Sequence, residues 1–185
     1  MSSRNKKPSV IFFLILLFSV MFLWACETTD QGDLPFQPPE DTTSAEQVPE
    51  SLELQIGGQL FELELALDDK QRAAGLMGRE EIDPSGGMLF VMPPVEPFPA
   101  ELTFWMKDCL VPIDLIFLST EGEITATHEM QPPEPGLSDE ELLRYSSNSP
   151  AQYAIELRGG TVKDLNLQVG DTIELPFDYL LELAR

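Results

Sequence analysis

Within six positions, Phe104-Trp105-Met106-Lys107-Asp108-Cys109 places an aromatic pair, a cation, an anion and a thiol side by side. Two carboxylates nearby in the chemistry, though not in the sequence, stand in apolar stretches: Asp114 in "VPIDLIFL" and Glu156 in "YAIEL". A carboxylate on a buried strand needs a cation or backbone donors to replace its water. Arg79 and Lys107 are the candidate cations. Arg79, Trp105, Lys107, Asp108, Asp114 and Glu156 therefore form the expected polar binding cluster. The competing reading is structural ion pairing of the same groups. A third makes Asp114 and Glu156 the acid and base of a glycoside hydrolase, which requires them about 5 to 10 Å apart.

Other chemistries have less to work with. The chain has one histidine, His128, so a two-histidine metal site and a zinc-protease motif are both unavailable. His128 alternates with Ala126 and Met130 on an apolar face, which reads as a core histidine bonded to backbone. Cys109 reads as a buried thiol, with pairing between chains or activation by Lys107 as the alternatives. Met77, Met88, Met92, Met106 and Met130 are scattered rather than clustered, so they read as core filling instead of thioether ligands for copper. Trp105 is either core or a stacking platform. No catalytic residue, metal or cofactor is assigned.

These residues must be held by elements that the pattern partly defines. "LELQI", then Gly57-Gly58, then "LFELELAL" reads as a β-hairpin with Phe61, Leu63, Leu65 and Leu67 inward. Asp68 and Gln71 form a capping box that opens a short helix, with Gly78 placed to end it. "GMLFVM" is continuously apolar, as a strand buried on both faces must be. "LTFWM", "IDLIFL", "ITATHEM" and "QYAIEL" read as further strands with antiparallel neighbours, and "DTIEL" as the last. "PPEPGLSDEELLRYSSNSP" reads as a long loop with one turn capped by Ser138 and Glu141, and "TVKDLNL" as a short helix opened by Thr161. The expected fold is mainly β, an antiparallel sandwich or partly closed barrel with two or three short helices.

The start of the chain has a different character. Arg4, Lys6 and Lys7 precede an almost uncharged run from Val10 to Ala25, shorter than the roughly 20 residues that span a bilayer. The run ends in "LWAC", which resembles the lipobox of bacterial lipoproteins, with bulky Trp24 at the middle position. That resemblance implies cleavage before Cys26, acylation of Cys26 and anchoring to a membrane by several chains. Residues 1–25 are thus expected to be a lipoprotein signal and 26–50 an acidic, proline-containing tether. The segment Glu27 to Glu50 has seven acids, four prolines and no lysine or arginine. Residues 51–185 are expected to form a single β-rich domain facing the periplasm or exterior. Loss of the three basic residues with the signal takes the formal charge from −21 to −24. Nucleic acid is excluded as a partner on that balance, because its binding depends on neutralising phosphates with Lys and Arg.

"GLMGRE", "GGMLFVM", "FWMKDCLVPIDLIFL", "EGEI", "YAIELRGG" and "VGDTIEL" together resemble domain of unknown function 192, a bacterial and archaeal family, over Leu52 to Leu175. The resemblance implies a small, mainly β domain of unestablished biochemical role. The family usually carries Lys-Asn-Thr after its Trp-Met, where this chain has Lys107-Asp108-Cys109, and "PPVEPFPAEL" is longer than usual. The expected protein is a lipid-anchored, non-enzymatic cell-envelope module that binds a small ligand or an envelope protein. An envelope polysaccharide hydrolase using Asp114 and Glu156 is the alternative.

Overall fold

Strict alternation of leucine with glutamate leaves the first two strands one route to burial, with every second side chain packed inward. The computed structural model describes residues 48–94 and 99–185. In it β1 (Ser51–Ile56) and β2 (Gln59–Ala66) pair antiparallel, with Ile56 opposite Gln59 across the Gly57-Gly58 turn. Both glycines have positive φ, 57° and 84°, the backbone that a two-residue hairpin of this twist needs. The capping box forms as expected: Asp68 accepts from the Gln71 backbone N–H and opens α1 (Asp69–Ala74). The helix ends one turn earlier than expected, at Gly75 rather than Gly78.

Short α1 returns the chain to β3 (Gly86–Val91), which lies parallel to β2 with Glu62 beside Gly86. This parallel pair corrects the all-antiparallel expectation. Beyond it the sheet runs β1-β2-β3-β8-β5-β6, where β5 is Ile113–Leu118, β6 is Ile124–Met130 and β8 is Tyr153–Arg158. Every described pair except β2–β3 is antiparallel. A separate two-stranded sheet joins β4 (Ala100–Phe104) to β7 (Tyr145–Ala151). The architecture is therefore mainly β, with two sheets, three short helices and no closure into a barrel.

β7 corrects part of the expected long loop, because "SSNSP" hides a strand that alternation does not reveal. Its register with β4 slips between Glu101 and Thr103. Buried Ser147 repairs the slip: its hydroxyl oxygen accepts from the Leu102 N–H at 2.9 Å and its O–H donates to the Ser149 carbonyl at 2.6 Å. Two expectations near the C-terminal end also change. "DTIEL" contributes a single bridge, Glu123 to Thr172, instead of a strand, and Pro176 precedes a third helix, α3 (Phe177–Leu183). α2 is only Thr161–Asp164, and Gly160 with φ 92° precedes it as the cap.

The middle of the large sheet, β3, β8 and β5, is buried on both faces. On one face Leu63, Leu65, Leu89, Ile116, Tyr153, Ile155 and Leu157 pack beneath Ile173, Leu175 and Leu180 of the C-terminal segment. On the other, Met88, Phe90, Leu115, Phe117 and Ala154 pack against Leu76, Leu102, Met106 and Cys109. Among the described residues no helix is long and apolar enough to cross a membrane.

At Gly87 the sheet leaves no space for a side chain, since a Cβ there would stand 2.3 Å from the Glu156 carbonyl oxygen. Gly87→Ala should therefore destabilise by about 3 kcal/mol, at the upper end for overpacking. Gly58→Ala, which meets nothing within 4 Å, should cost about 1 to 2 kcal/mol through its positive φ alone. Urea unfolding of the two variants checks the order, and equal losses would mean that β3 and β8 can separate to accept the methyl.

Candidate functional site

Glu156 sits at the centre of β8, opposite Met88 of β3 and Leu115 of β5. Those partners place its side chain on the second face, among apolar groups, with the residue only 4% exposed. The Leu76 backbone N–H, just past α1, lies near enough to its carboxyl to favour the charged form. Oε2 has no hydrogen-bond partner. Burial, offset in part by the Leu76 N–H, pushes the carboxyl up to about 8.

Above Glu156 opens a cleft of about 350 Å³, within the usual size range of small-molecule sites. α1 and the turn after it supply Arg72, Gly75, Leu76 and Met77. β3 and the residue beyond it supply Phe90 and Met92, and β4 and its continuation supply Leu102, Phe104 and Trp105. The positions follow from local sequence. Gly75 ends α1 with φ 47°, and a Cβ there would lie 3.4 Å from the Phe90 ring and 3.6 Å from Oε2. Phe104 closes β4 with edge-to-face contacts to Phe90 and Phe117, at 4.9 and 5.4 Å between centroids. Among the described residues Arg72 is the only cation in the lining, and its guanidinium is engaged. It donates to the Val91 carbonyl at 3.0 Å, to Asp69 at 2.7 Å and to the Arg185 carbonyl at 2.6 Å.

The expected six-residue polar cluster does not assemble as one site. Trp105 and Glu156 reach the cleft. Lys107 and Asp108 sit beyond it: Lys107 pairs with Asp139 at 2.5 Å and lies over the Trp105 ring at 5.3 Å. The Arg144 guanidinium also lies over that ring, at 4.4 Å. Asp108 is exposed, and its carbonyl accepts from Gly78 N–H at 2.8 Å. Its φ of 52° is a backbone that Asp and Asn tolerate better than most residues. Arg79 is half-exposed and pairs with Glu64 at 2.7 Å, so it does not meet Asp114.

Asp114 lies on the opposite face of the sheet from Glu156. Its cross-strand partner on β8 is Leu157, whereas the partner of Glu156 is Leu115, and neighbouring residues of one strand point to opposite faces. Asp114 instead accepts from Val162 N–H at 2.7 Å, tying down the turn into α2. Burial raises its carboxyl, and the Val162 and Gly160 N–H groups oppose that rise. A paired-carboxylate hydrolase is therefore not built here, because the β-sheet separates the two acids.

His128 is bonded to backbone as expected, though half-buried rather than in the core: its Nε2–H donates to the Ser146 carbonyl at 2.8 Å and its ring meets Phe117 and Tyr145 edge-on. Cys109 is buried and free. Its Sγ–H donates to the Lys107 carbonyl at 3.4 Å, and burial, reinforced by Glu156, pushes the thiol up to about 12. A thiol so held is a poor nucleophile. Among the described residues no group of three or more His, Cys, Asp or Glu could hold a metal ion. The expectations for the signal, Cys26 and most of the tether lie outside the described residues.

The family described as uncharacterised ACR, domain of unknown function 192, matches residues 52–175. The chain belongs to this family. The match contains Glu156 and every cleft residue named above and stops just before α3. No curated protein matches the chain. A solved structure from Sinorhizobium meliloti 1021, described as a candidate transcription regulator, is 34% identical with a TM-score of 0.53, covering 66% of this chain and 88% of its own. A protein of unknown function from Novosphingobium aromaticivorans DSM 12444 is 24% identical with a TM-score of 0.52, covering 68% and 84%. This second likeness supports the fold of the domain of unknown function 192 alone.

The lining residues Arg72, Gly75, Phe90, Met92 and Leu102 carried no chemical signal in the sequence. They read as core or helix, and only the fold turns them toward one space. In this family member the cleft's acid also leaves a measurable trace. An unfolded glutamate titrates near 4.5 and folded Glu156 near 8, so between those values the native state holds the extra proton. Its stabilisation is present below pH 4.5 and lost as pH rises through 8, by at most about 5 kcal/mol at about 1.4 kcal/mol for each pH unit between the two values. Glu156→Gln keeps an acceptor for Leu76 N–H and should flatten that part of the profile, overtaking wild type above pH 7. Denaturant midpoints at half-unit pH steps test this, and parallel profiles would place the Glu156 carboxyl in a better-solvated setting.

Proposed function

We propose that this chain is a lipid-anchored cell-envelope protein whose β domain is a non-enzymatic ligand-binding module, with the ligand seated in the cleft above Glu156. The observation that carries the binding half is the partnerless Oε2 at the floor of an otherwise apolar cleft. A buried carboxylate oxygen without a donor costs the fold stability, and a methionine or leucine would fill the place better. A bound molecule that brings the missing donor accounts for the acid being there. Catalysis has no comparable support, since among the described residues the lining holds one carboxyl, an inert thiol and no histidine.

The envelope half rests on the "LWAC" boundary and on the acidic, proline-containing stretch that follows it. The description of the Sinorhizobium relative as a candidate transcription regulator does not transfer readily. With 32 acids against 11 bases, this chain would repel the phosphate backbone that such binding must neutralise.

Two measurements test the proposal. Metabolic labelling with a palmitate analogue should mark the wild-type chain and leave Cys26→Ala unlabelled, and equal labelling would remove the anchor. For the cleft, a mixture of small apolar fragments added to the full chain in micelles should shift the amide resonances of Gly75, Leu76, Phe104 and Trp105. Shifts confined to other regions would sink the assignment of the site.

A further inference from the structure

We propose that the cleft is selective for amines, taking a protonated amino head against Glu156 Oε2 and an apolar body of about five carbons against Phe90, Met92, Leu102 and Phe104. This rests on the reading of the cleft as the ligand site and adds the chemical class of the ligand. Glu156 presents one oxygen without a hydrogen-bond partner, 3.6 Å from the position of a Gly75 Cβ, and in the ionised form of the carboxyl that oxygen calls for a donor from the ligand. An ammonium brings a donor and the opposite charge together, and charge-assisted bonds are about twice as strong as neutral ones.

No group of the cleft competes for the same place. The Arg72 guanidinium, the one cation of the lining among the described residues, is engaged by Val91, Asp69 and Arg185. The Lys107 ammonium is held by Asp139. Phe90 and Phe104 supply apolar wall for the alkyl body behind that head. A carboxylate ligand would meet Glu156 and a protein of formal charge −21 without a free cation in the lining to receive it.

Binding then carries a proton balance. At neutral pH Glu156 is protonated, so the ammonium form of the ligand pairs with it only as the carboxyl proton leaves to solvent: the O–H bond breaks, its electron pair stays on the carboxylate, and the buffer takes the proton. The other titratable groups facing Glu156 are Arg72 from α1 and Cys109 from the connection after β4. Its β3 and β5 partners, Met88 and Leu115, carry none. Cys109 stays a thiol until about 12 and Arg72 stays charged, so Glu156 alone sets the pH dependence up to pH 9. With its carboxyl at about 8, amine affinity should rise about 90-fold from pH 6 to pH 9, below the range where an alkylamine itself loses its proton, near 10.4.

Pentylamine, pentan-1-ol and pentanoate, titrated in turn into the full chain in micelles and followed at the Trp105 indole N–H and the Gly75 and Leu76 amides, provide the test. Pentylamine should bind at least tenfold more tightly than pentanol at pH 9, gain affinity with pH as above, and lose at least tenfold in Glu156→Gln, while pentanol changes little. Pentanol or pentanoate binding as tightly as pentylamine at pH 9 overturns the amine and leaves the cleft as a ligand site. Silence of all three resonances toward all three probes overturns the cleft itself. Because the wild-type comparison needs no variant, a poorly folded Glu156→Gln would not protect the proposal.

Discussion

Two-sided burial of β8 is the constraint from which the rest of the structure follows. The strand lies between β3 and β5, one core packs on each of its faces, and five of its six residues are buried. A strand in that position satisfies its backbone groups on both edges and leaves only side chains to be covered. One face is closed by the C-terminal segment through Ile173, Leu175 and Leu180. The other is closed by the small β4–β7 sheet and the turn after α1. Those two covers come from distant parts of the chain and need not meet, and the cleft above Glu156 is the space between them.

The same burial explains why the domain's two interior acids differ. Asp114 and Glu156 are both carboxylates on central strands, and both are pushed toward the neutral form by loss of water. Asp114 faces a tight turn, where Val162 N–H substitutes for solvent at Oδ2 while Oδ1 is left without a partner, so its role is to hold the backbone between β8 and α2. Glu156 lies buried at the base of the cleft, where among the described residues Leu76 N–H is the donor that acts on it. A difference of one cross-strand position therefore separates a structural acid from one available to a ligand. Trp105 extends the argument to the rim. Lys107 and Arg144 lie over its ring, and Lys107 is tied to Asp139, so the segment around Asp139 positions one wall of the cleft although it does not line it.

Much of the scaffold was legible because local rules suffice for it. The Gly57-Gly58 hairpin, the Asp68–Gln71 capping box, the doubly buried "GMLFV" strand and backbone-bound His128 each follow from a pattern a few residues long. The elements that were not legible depend on distant partners. β7 has serines and a proline where alternation would be sought, and its pairing relies on the Ser147 hydroxyl. "DTIEL" alternates well and packs Ile173 and Leu175 on the core, but its backbone bonds across to Gly122, Glu123 and Ile124 alone instead of forming a strand. For the site, Glu156 and Trp105 could be singled out by type. Their separation from Asp114 and Arg79 could not, because which face a carboxylate occupies is decided by register, and register is a property of two strands. The apolar lining gave no signal, since a wall residue and a core residue have the same composition.

The position of β8 also has a temporal meaning. Its six residues begin at Tyr153, yet they lie between strands that end at Val91 and Leu118. A chain emerging from the ribosome can close the β1–β2 hairpin and the β5–β6 pair early, since both are local. It has no means of joining them until more than four-fifths of its length has been made. Contacts of such long sequence separation form slowly, and until then β3 and β5 each present an unpaired hydrophobic edge of the kind that promotes aggregation. Nascent-chain protection is thus built into the demands of this topology: whatever shelters the chain during synthesis must do so until its last major strand arrives.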